Sequence, residues 1–240
     1  MTPDAVALRY RLNRRQQLPE EVAGYVRELI ITGAVRPGEF LRMERIAEAV
    51  GVSNTPVREG LLILRSEGLV ELVPRRGFVV SPFSPQDVRD LFWAQAQLAS
   101  ELAARAAKKI TPERLAELEV ILARYESAVA EDDPERIGEL GHLFHRQINL
   151  AADSHRLALL LSSFVRQLPN RFYAAIETQA SMGGDDHQRL MAALRRSDAR
   201  AARSLMARHI LARGDYLLEI LHERGLWNDQ DWDESKPVSR

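Results

Sequence analysis

Sequence that favours strands is confined to two short stretches, which limits this chain to a helical architecture with a minimal sheet. The β-branched stretches are Leu69–Val73 and Gly77–Val80. They flank Pro74-Arg75-Arg76-Gly77, a turn sequence, and together predict one hairpin. After Ser81 the apolar residues recur with helical period, and start signals punctuate the run. Ser84-Pro85-Gln86-Asp87 offers a capping Ser, Pro at the first helical position and a carboxylate beyond it. Thr111-Pro112-Glu113 and Asp133-Pro134-Glu135 repeat the pattern. Gly183-Gly184 breaks a helix and Ser197-Asp198 starts the last one. Six helices are therefore expected, at about 84–109, 112–131, 134–152, 154–180, 185–196 and 198–224.

Ahead of the hairpin, about Pro19–Thr32 predicts an amphipathic helix with Val22, Val26, Leu29 and Ile30 on one stripe. Residues 33–38 read as a loop. Met43–Val50 is a short helix, Gly51-Val52-Ser53 a turn, and Asn54–Glu67 a second helix whose inner side holds Val57, Leu61, Leu62 and Leu64. A short helix, a turn containing Gly and a longer helix make a helix-turn-helix layout. The second helix begins with small polar residues, Ser53, Asn54 and Thr55, followed by Arg58. Such side chains suit base edges and phosphates, and the free N–H groups of a helix N-terminus favour phosphate. The hairpin that follows, with Arg75 and Arg76 at its tip, then reads as a wing.

Composition narrows the function classes. The 240 residues carry a net charge of -1, so overall charge gives no argument for nucleic acid. The first 83 residues hold 12 Arg and no Lys against 10 acids, and the remainder holds 21 cations against 24 acids. That sign suits a DNA-binding head on a non-binding body. The absence of cysteine rules out disulfides and thiolate metal sites and is in keeping with a cytoplasmic protein. No apolar run approaches the roughly 20 residues that a membrane span needs. The Pro- and Ser-rich stretch Ser81-Pro82-Phe83-Ser84-Pro85 marks a boundary. The expected organisation is a flexible basic arm (1–17), a winged helix-turn-helix (18–81), a linker (82–85), a helical domain (86–226) and a flexible tail (227–240).

The stretches Val35-Arg36-Pro37-Gly38-Glu39-Phe40-Leu41, Ile46–Glu59 and Glu67-Gly68-Leu69-Val70 resemble the GntR family of bacterial regulators. The resemblance implies that Ser53, Thr55 and Arg58 contact DNA, with the wing at Arg75, Arg76 and Gly77 in or near the minor groove. Two positions depart from the family. Asn54 stands where Arg is usual, and Glu44 where Arg is common, with Arg45 beside it. Asn pairs with adenine through two hydrogen bonds, so the operator is expected to differ from the usual half-site.

The helical block resembles the sensor domain of the FadR subfamily, known as FCD. It does so through Asp90-Leu91-Phe92, Glu101–Ala107, Phe144-His145 and two later histidines. The fold expected is mainly α: a winged helix-turn-helix and an antiparallel bundle of six to seven helices. The resemblance implies a divalent metal held by one Asp and three His, with His145, His187 and His209 at the His positions. Imidazoles suit Zn, Ni, Cu or Fe(II). Gly141 occupies the Asp position, four residues before His145. Three outcomes stay open: a three-His site, a site rearranged to use His142 or the nearby Asp185 and Asp186, or a former site now empty. The Arg that binds carboxylate effectors in relatives is here Gln95, with Arg171 as a substitute cation. His155 and His222 read as surface residues.

The function expected is a DNA-binding transcription regulator, in the sense of a repressor. It would act as a homodimer on double-stranded operator DNA, with a small organic acid or related metabolite as effector and no part for a membrane. A metal-dependent enzyme or a metal-sensing regulator built on the three His is the alternative. No His-Glu-x-x-His sequence or nucleophile motif supports catalysis.

Overall fold

A computed structural model of the chain describes residues 3–169, 172, 175–177, 186–227 and 238, with backbone alone for 3–16. The chain folds into two compact units, residues 1–84 with 224–226, and residues 85–223 with 227–240.

The first unit contains α1 (Pro3–Ile31), β1 (Phe40–Leu41), α2 (Met43–Val50), α3 (Asn54–Ser66), β2 (Val70–Val73) and β3 (Gly77–Val80). Gly51 ends α2 in the left-handed conformation, with φ 73°. The Val52 N–H then donates to the Ala47 carbonyl at 2.9 Å, which satisfies a carbonyl that the helix end leaves open. β3 is the central strand, antiparallel to both β1 and β2. β1 was not expected from sequence: two residues give no alternation to read. Its pairing, Phe40 with Val79 and Leu41 with Phe78, is set by β3. Val22, Val26, Ile30, Ile46, Val57, Leu61, Leu64 and Phe78 form the core. Leu62, expected inside, is 40% exposed. Successive helical residues point about 100° apart, so Leu62 lies off the stripe formed by Val57, Gly60, Leu61 and Leu64.

The stretch expected as an arm is helical from Pro3 onward and continuous with the first predicted helix. Residues 4–18 contain neither Gly nor Pro and are rich in Ala, Leu, Arg and Gln, all good helix formers. Pro19 lies inside α1.

The second unit contains α4 (Pro85–Lys109), α5 (Pro112–Ala130), α6 (Pro134–Ala151), α7 (His155–Val165), α8 (Asp186–Arg195) and α9 (Ala199–Glu223). The cap signals act as written. Thr111 Oγ1 accepts from Arg114 N–H at 3.4 Å, and Asp133 Oδ1 accepts from Arg136 N–H at 3.1 Å. The single helix expected over 154–180 is interrupted instead. Helix α7 ends at Val165, with turns before Pro169, which cannot continue a helix and disfavours helical backbone before it. Phe172 and Ala175–Glu177 are again helical. Alanines 96, 99, 103, 106 and 107 of α4 are buried, and such small side chains let helices pack closely on it. Of the expected tail, Trp227 and Val238 are described and buried, and Val238 N–H donates to Asp215 at 2.5 Å. The rest of that tail lies outside the described residues.

Two interactions set the position of α3 in the head. A Cβ added at Gly60 would lie 2.7 Å from the Pro19 carbonyl oxygen and 2.8 Å from Val22 Cγ1. The buried Arg27 of α1 donates from Nε and Nη2 to both oxygens of Glu67, at 2.7–3.0 Å, just past the end of α3. Gly60→Ala should therefore destabilise the head by about 1–3 kcal/mol through overpacking. Denaturant unfolding of the chain checks this. A change within 0.5 kcal/mol, roughly what an ordinary surface substitution costs, would contradict the close approach.

Candidate functional site

The DNA-facing candidates lie on the surface of the first unit. Arg45 of α2 is exposed, as are Ser53, Asn54, Thr55 and Arg58 at the start of α3. Ser53 precedes the first turn of α3 but makes no side-chain capping bond, and that turn carries no acid. The result is a helix N-terminus with uncapped N–H groups beside an exposed Arg, which favours anions. At the hairpin tip Arg75 is exposed and takes a positive φ of 64°, followed by half-buried Gly77 at 103°. Arg76 is also exposed, and its guanidinium sits 4.4 Å from the centre of the Phe40 ring. That stacking ties the wing tip to β1 and orients its cations.

The second candidate site is the interior of the helical unit. Three imidazoles arrive from three helices, His145 from α6, His187 from α8 and His209 from α9. Each of the two later histidines is about ten residues from the α8–α9 turn, so an antiparallel pair brings them level. Ring centroids are 4.7–5.2 Å apart. The Nε2 of His145 lies 2.8 Å from that of His209 and 3.3 Å from that of His187. A neutral ring nitrogen holds either one proton or one lone pair, so His145 Nε2 can satisfy only one of these neighbours. A shared cation satisfies all three, and the separations match nitrogens bound at about 2.0–2.1 Å to one ion.

The fourth member was not identified from sequence. Glu177, 5% exposed, places a carboxylate oxygen 3.9 Å from His145 Nε2. His145, Glu177, His187 and His209 each offer a ligand atom, all within 4.8 Å of one another. Arg213 of α9, also 5% exposed, holds Glu177 by two hydrogen bonds, Nε to Oε1 at 2.8 Å and Nη2 to Oε2 at 2.7 Å. The Tyr125 hydroxyl donates to Oε2 at 3.4 Å. Arg213 Nη1 also lies 2.8 Å from His209 Nδ1, while Asp186 Oδ2 lies 3.5 Å from the same nitrogen.

Burial would raise the Glu177 pKa, but the charge and hydrogen bonds of Arg213 outweigh it and hold it at about 2. Burial above all depresses the imidazoles; the Arg213 charge adds to it, and the Glu177 carboxylate opposes it at His145 and His187. His187 is held at about 4, and His145 and His209 well below their ordinary value. All three rings are neutral at pH 7, the form that binds metal.

A cavity of about 290 Å³ opens beside the cluster, with His145, Glu177 and Arg213 in its wall. Phe92, Leu161 and Met206 line it, as does buried Gln95. His142 lines it too but is not among the four converging groups. Exposed His155 lies along the same cavity, whereas His222, read as a surface residue, is half-buried. Arg171 and Asp185 lie outside the described residues. Glu177 and Arg213 carry no motif. Their one signal in the sequence is the Gly at position 141, which leaves a gap to be filled.

The neutral imidazoles have a measurable consequence for the metal-free protein. The unfolded chain binds a proton at His187 near pH 6.5, and the folded chain only near 4. Stability must therefore fall as pH drops from about 6.5 towards 4. Glu177, with a lowered pKa, contributes stability that is lost only as pH falls below about 4.5 towards 2. With chelator present, His187→Gln should flatten the fall in unfolding free energy between pH 7 and 5, by up to ~1.4 kcal/mol per pH unit for one proton. An unchanged slope in urea unfolding would contradict the burial of a neutral imidazole there.

Comparison with known proteins agrees with both units. Residues 90–212 match the family model described as FCD domain, and residues 18–80 match bacterial regulatory proteins of the gntR family. The chain is 27% identical over 191 residues to the HTH-type transcriptional regulator McbR of Escherichia coli K12, covering 78% of this chain and 86% of that protein. It is 29% identical over 245 residues to the Uxu operon transcriptional regulator of the same organism, covering 92% and 95%. The solved structure of E. coli McbR/YncC aligns with a TM-score of 0.62 at 25% identity, covering 87% of this chain and 98% of that one. A GntR family member from Pseudomonas syringae shares the fold, with a TM-score of 0.52 at 24% identity over 88% of each chain. With a gntR-type helix-turn-helix in its first unit and an FCD domain in its second, this chain belongs to the GntR family of bacterial regulatory proteins.

Proposed function

We propose that this regulator is a repressor that binds a near-palindromic DNA operator as a homodimer and is released or retained by a small-molecule effector. The observation that carries the reading is the exposed start of α3, where Ser53, Asn54, Thr55 and Arg58 surround uncapped backbone N–H groups. Two such helices about one DNA turn apart would read two half-sites. Arg45, Arg75 and Arg76 would contact phosphates or the adjacent groove, with Gly77 shaping the turn. Asn54 would set the base preference. Such a protein works where the chromosome is, in the cytoplasm, and no described helix is long and apolar enough to cross a membrane.

The control input is the cavity beside the His/Glu cluster. A small organic acid suits it: apolar walls enclose the carbon skeleton, while Gln95 and the cluster meet the polar end. Arg171 would be a further contact. His145, His187, His209 and Glu177 would hold a divalent cation such as Zn or Ni, since three convergent nitrogens and a carboxylate are a suitable donor set. Such an ion supplies a Lewis-acidic position for an anionic oxygen. Binding there shifts the balance between DNA-competent and DNA-incompetent arrangements by its differential affinity for the two, with the linker at 81–85 as the hinge. The enzyme that the sequence left open gains no support, because the curated relatives are transcription regulators.

Arg58→Ala should lower sequence-specific DNA affinity by about tenfold or more, since a base or phosphate contact of this kind contributes about 1–3 kcal/mol. Gel shifts against a selected operator, with circular dichroism to verify the fold, read the effect. Unchanged specific binding would refute the assignment. His145→Ala should abolish the rise in melting temperature that added Zn gives the stripped wild-type chain. An equal rise in both proteins would place the metal elsewhere.

A further inference from the structure

The geometry points to Glu177 as a relocated metal carboxylate that fills the place left by Gly141, with Arg213 competing against the cation for His209. The inference rests on the metal reading above and adds which residues serve it and at what cost.

Position 141 lies one turn before His145 on the same face of α6, where a short carboxylate would reach the imidazoles. Instead Gly141 is buried and has no side chain. A Cβ built there would lie 3.0 Å from Glu177 Cδ, 3.2 Å from Oε2 and 3.3 Å from Cγ. The Glu177 carboxylate therefore occupies the volume that a side chain at 141 would need. Either position can carry the acid, but not both. The substitution preserves the chemistry of the site, because one carboxylate among three imidazoles is retained, and changes the element that delivers it.

The change has a consequence for occupancy. Both Glu177 oxygens accept hydrogen bonds from Arg213, but each oxygen has a second lone pair, so a cation can take Oε1 with the guanidinium contact kept. Arg213 also donates to His209 Nδ1. That bond places the proton of a neutral His209 on Nε2, whereas a metal at Nε2 needs the proton on Nδ1. Asp186, with an oxygen 3.5 Å from His209 Nδ1, is the acceptor that the metal-bound tautomer calls for. Arg213 thus holds His209 in the tautomer that a metal at Nε2 excludes. Metal binding requires Arg213 Nη1 to leave His209 Nδ1, and it frees one arm of a buried guanidinium in the cavity wall, where a carboxylate ligand can use it.

The test is cobalt titration of the chelator-stripped full-length chain, read by the d–d absorption bands and by the rise in melting temperature. Circular dichroism checks each variant for folding. The wild type binds. Glu177→Gln should bind at least about tenfold more weakly, the range that loss of a partner at a metal site produces. Gly141→Asp alone should weaken binding because the two side chains collide. The double variant Gly141→Asp/Glu177→Ala should recover affinity to within about threefold of the wild type. Arg213→Met should bind cobalt more tightly than the wild type and gain more melting temperature from it. If the wild type binds cobalt but Glu177→Gln binds equally well, or the double variant fails to recover, the relocated carboxylate is wrong. If Arg213→Met binds more weakly, the competition is wrong. If the wild type gives no cobalt bands, the metal reading itself falls, and this inference with it.

Discussion

The interior of the sensor domain depends on Glu177, the one buried carboxylate among the described residues. Glu177 sits among three imidazoles, an arginine and a tyrosine, and its pairing with Arg213 allows an ionised group to exist in an apolar bundle. Removing an ion of this kind from water costs several kcal/mol, which only good geometry and full hydrogen bonding offset. Arg213 supplies both hydrogen bonds and the opposing charge. The imidazoles stay neutral for the same reason of burial, so the cluster as a whole, Glu177 with Arg213 and three neutral rings, carries no net charge. A divalent cation would change that balance and make the cavity attractive to an anion.

The head is built on a different principle. The residues proposed to meet DNA are exposed, except half-buried Gly77, and their placement comes from buried contacts behind them. Gly60 lets α3 approach α1 closely, and Arg27 clamps Glu67 just beyond the far end of α3. Phe40, on a strand of two residues, carries the guanidinium of Arg76 and so holds the wing tip. The side chains that face outward at the start of α3, Asn54 among them, are polar, and the contacts behind them are apolar or paired.

What was legible in the sequence was mostly local. The caps at Thr111 and Asp133, the left-handed Gly51 and the hairpin about Arg75 each follow from a few adjacent residues, and each appears in the structure. The three histidines were legible through family resemblance, and the meeting of His187 with His209 follows from their equal distances to one turn. Glu177 was not legible. It lies in the stretch read as a continuation of α7, bears no fixed spacing to His145, and meets it only after Pro169 has interrupted the helix. Gly141 announced that an acid was missing without saying where another stood. Leu62 was misplaced because it adjoins Leu61 in sequence, although the two point to different sides of the helix. β1 was missed because its strand character comes from β3.

Regulation by this chain turns on sequence-specific DNA binding, and selection from a random duplex pool tests that most directly. Purified protein at moderate salt, taken through successive rounds of capture and sequencing, should enrich a near-palindromic site with half-sites about one helical turn apart. Enrichment of no sequence above the non-specific background, under conditions where the protein is folded, would contradict the account.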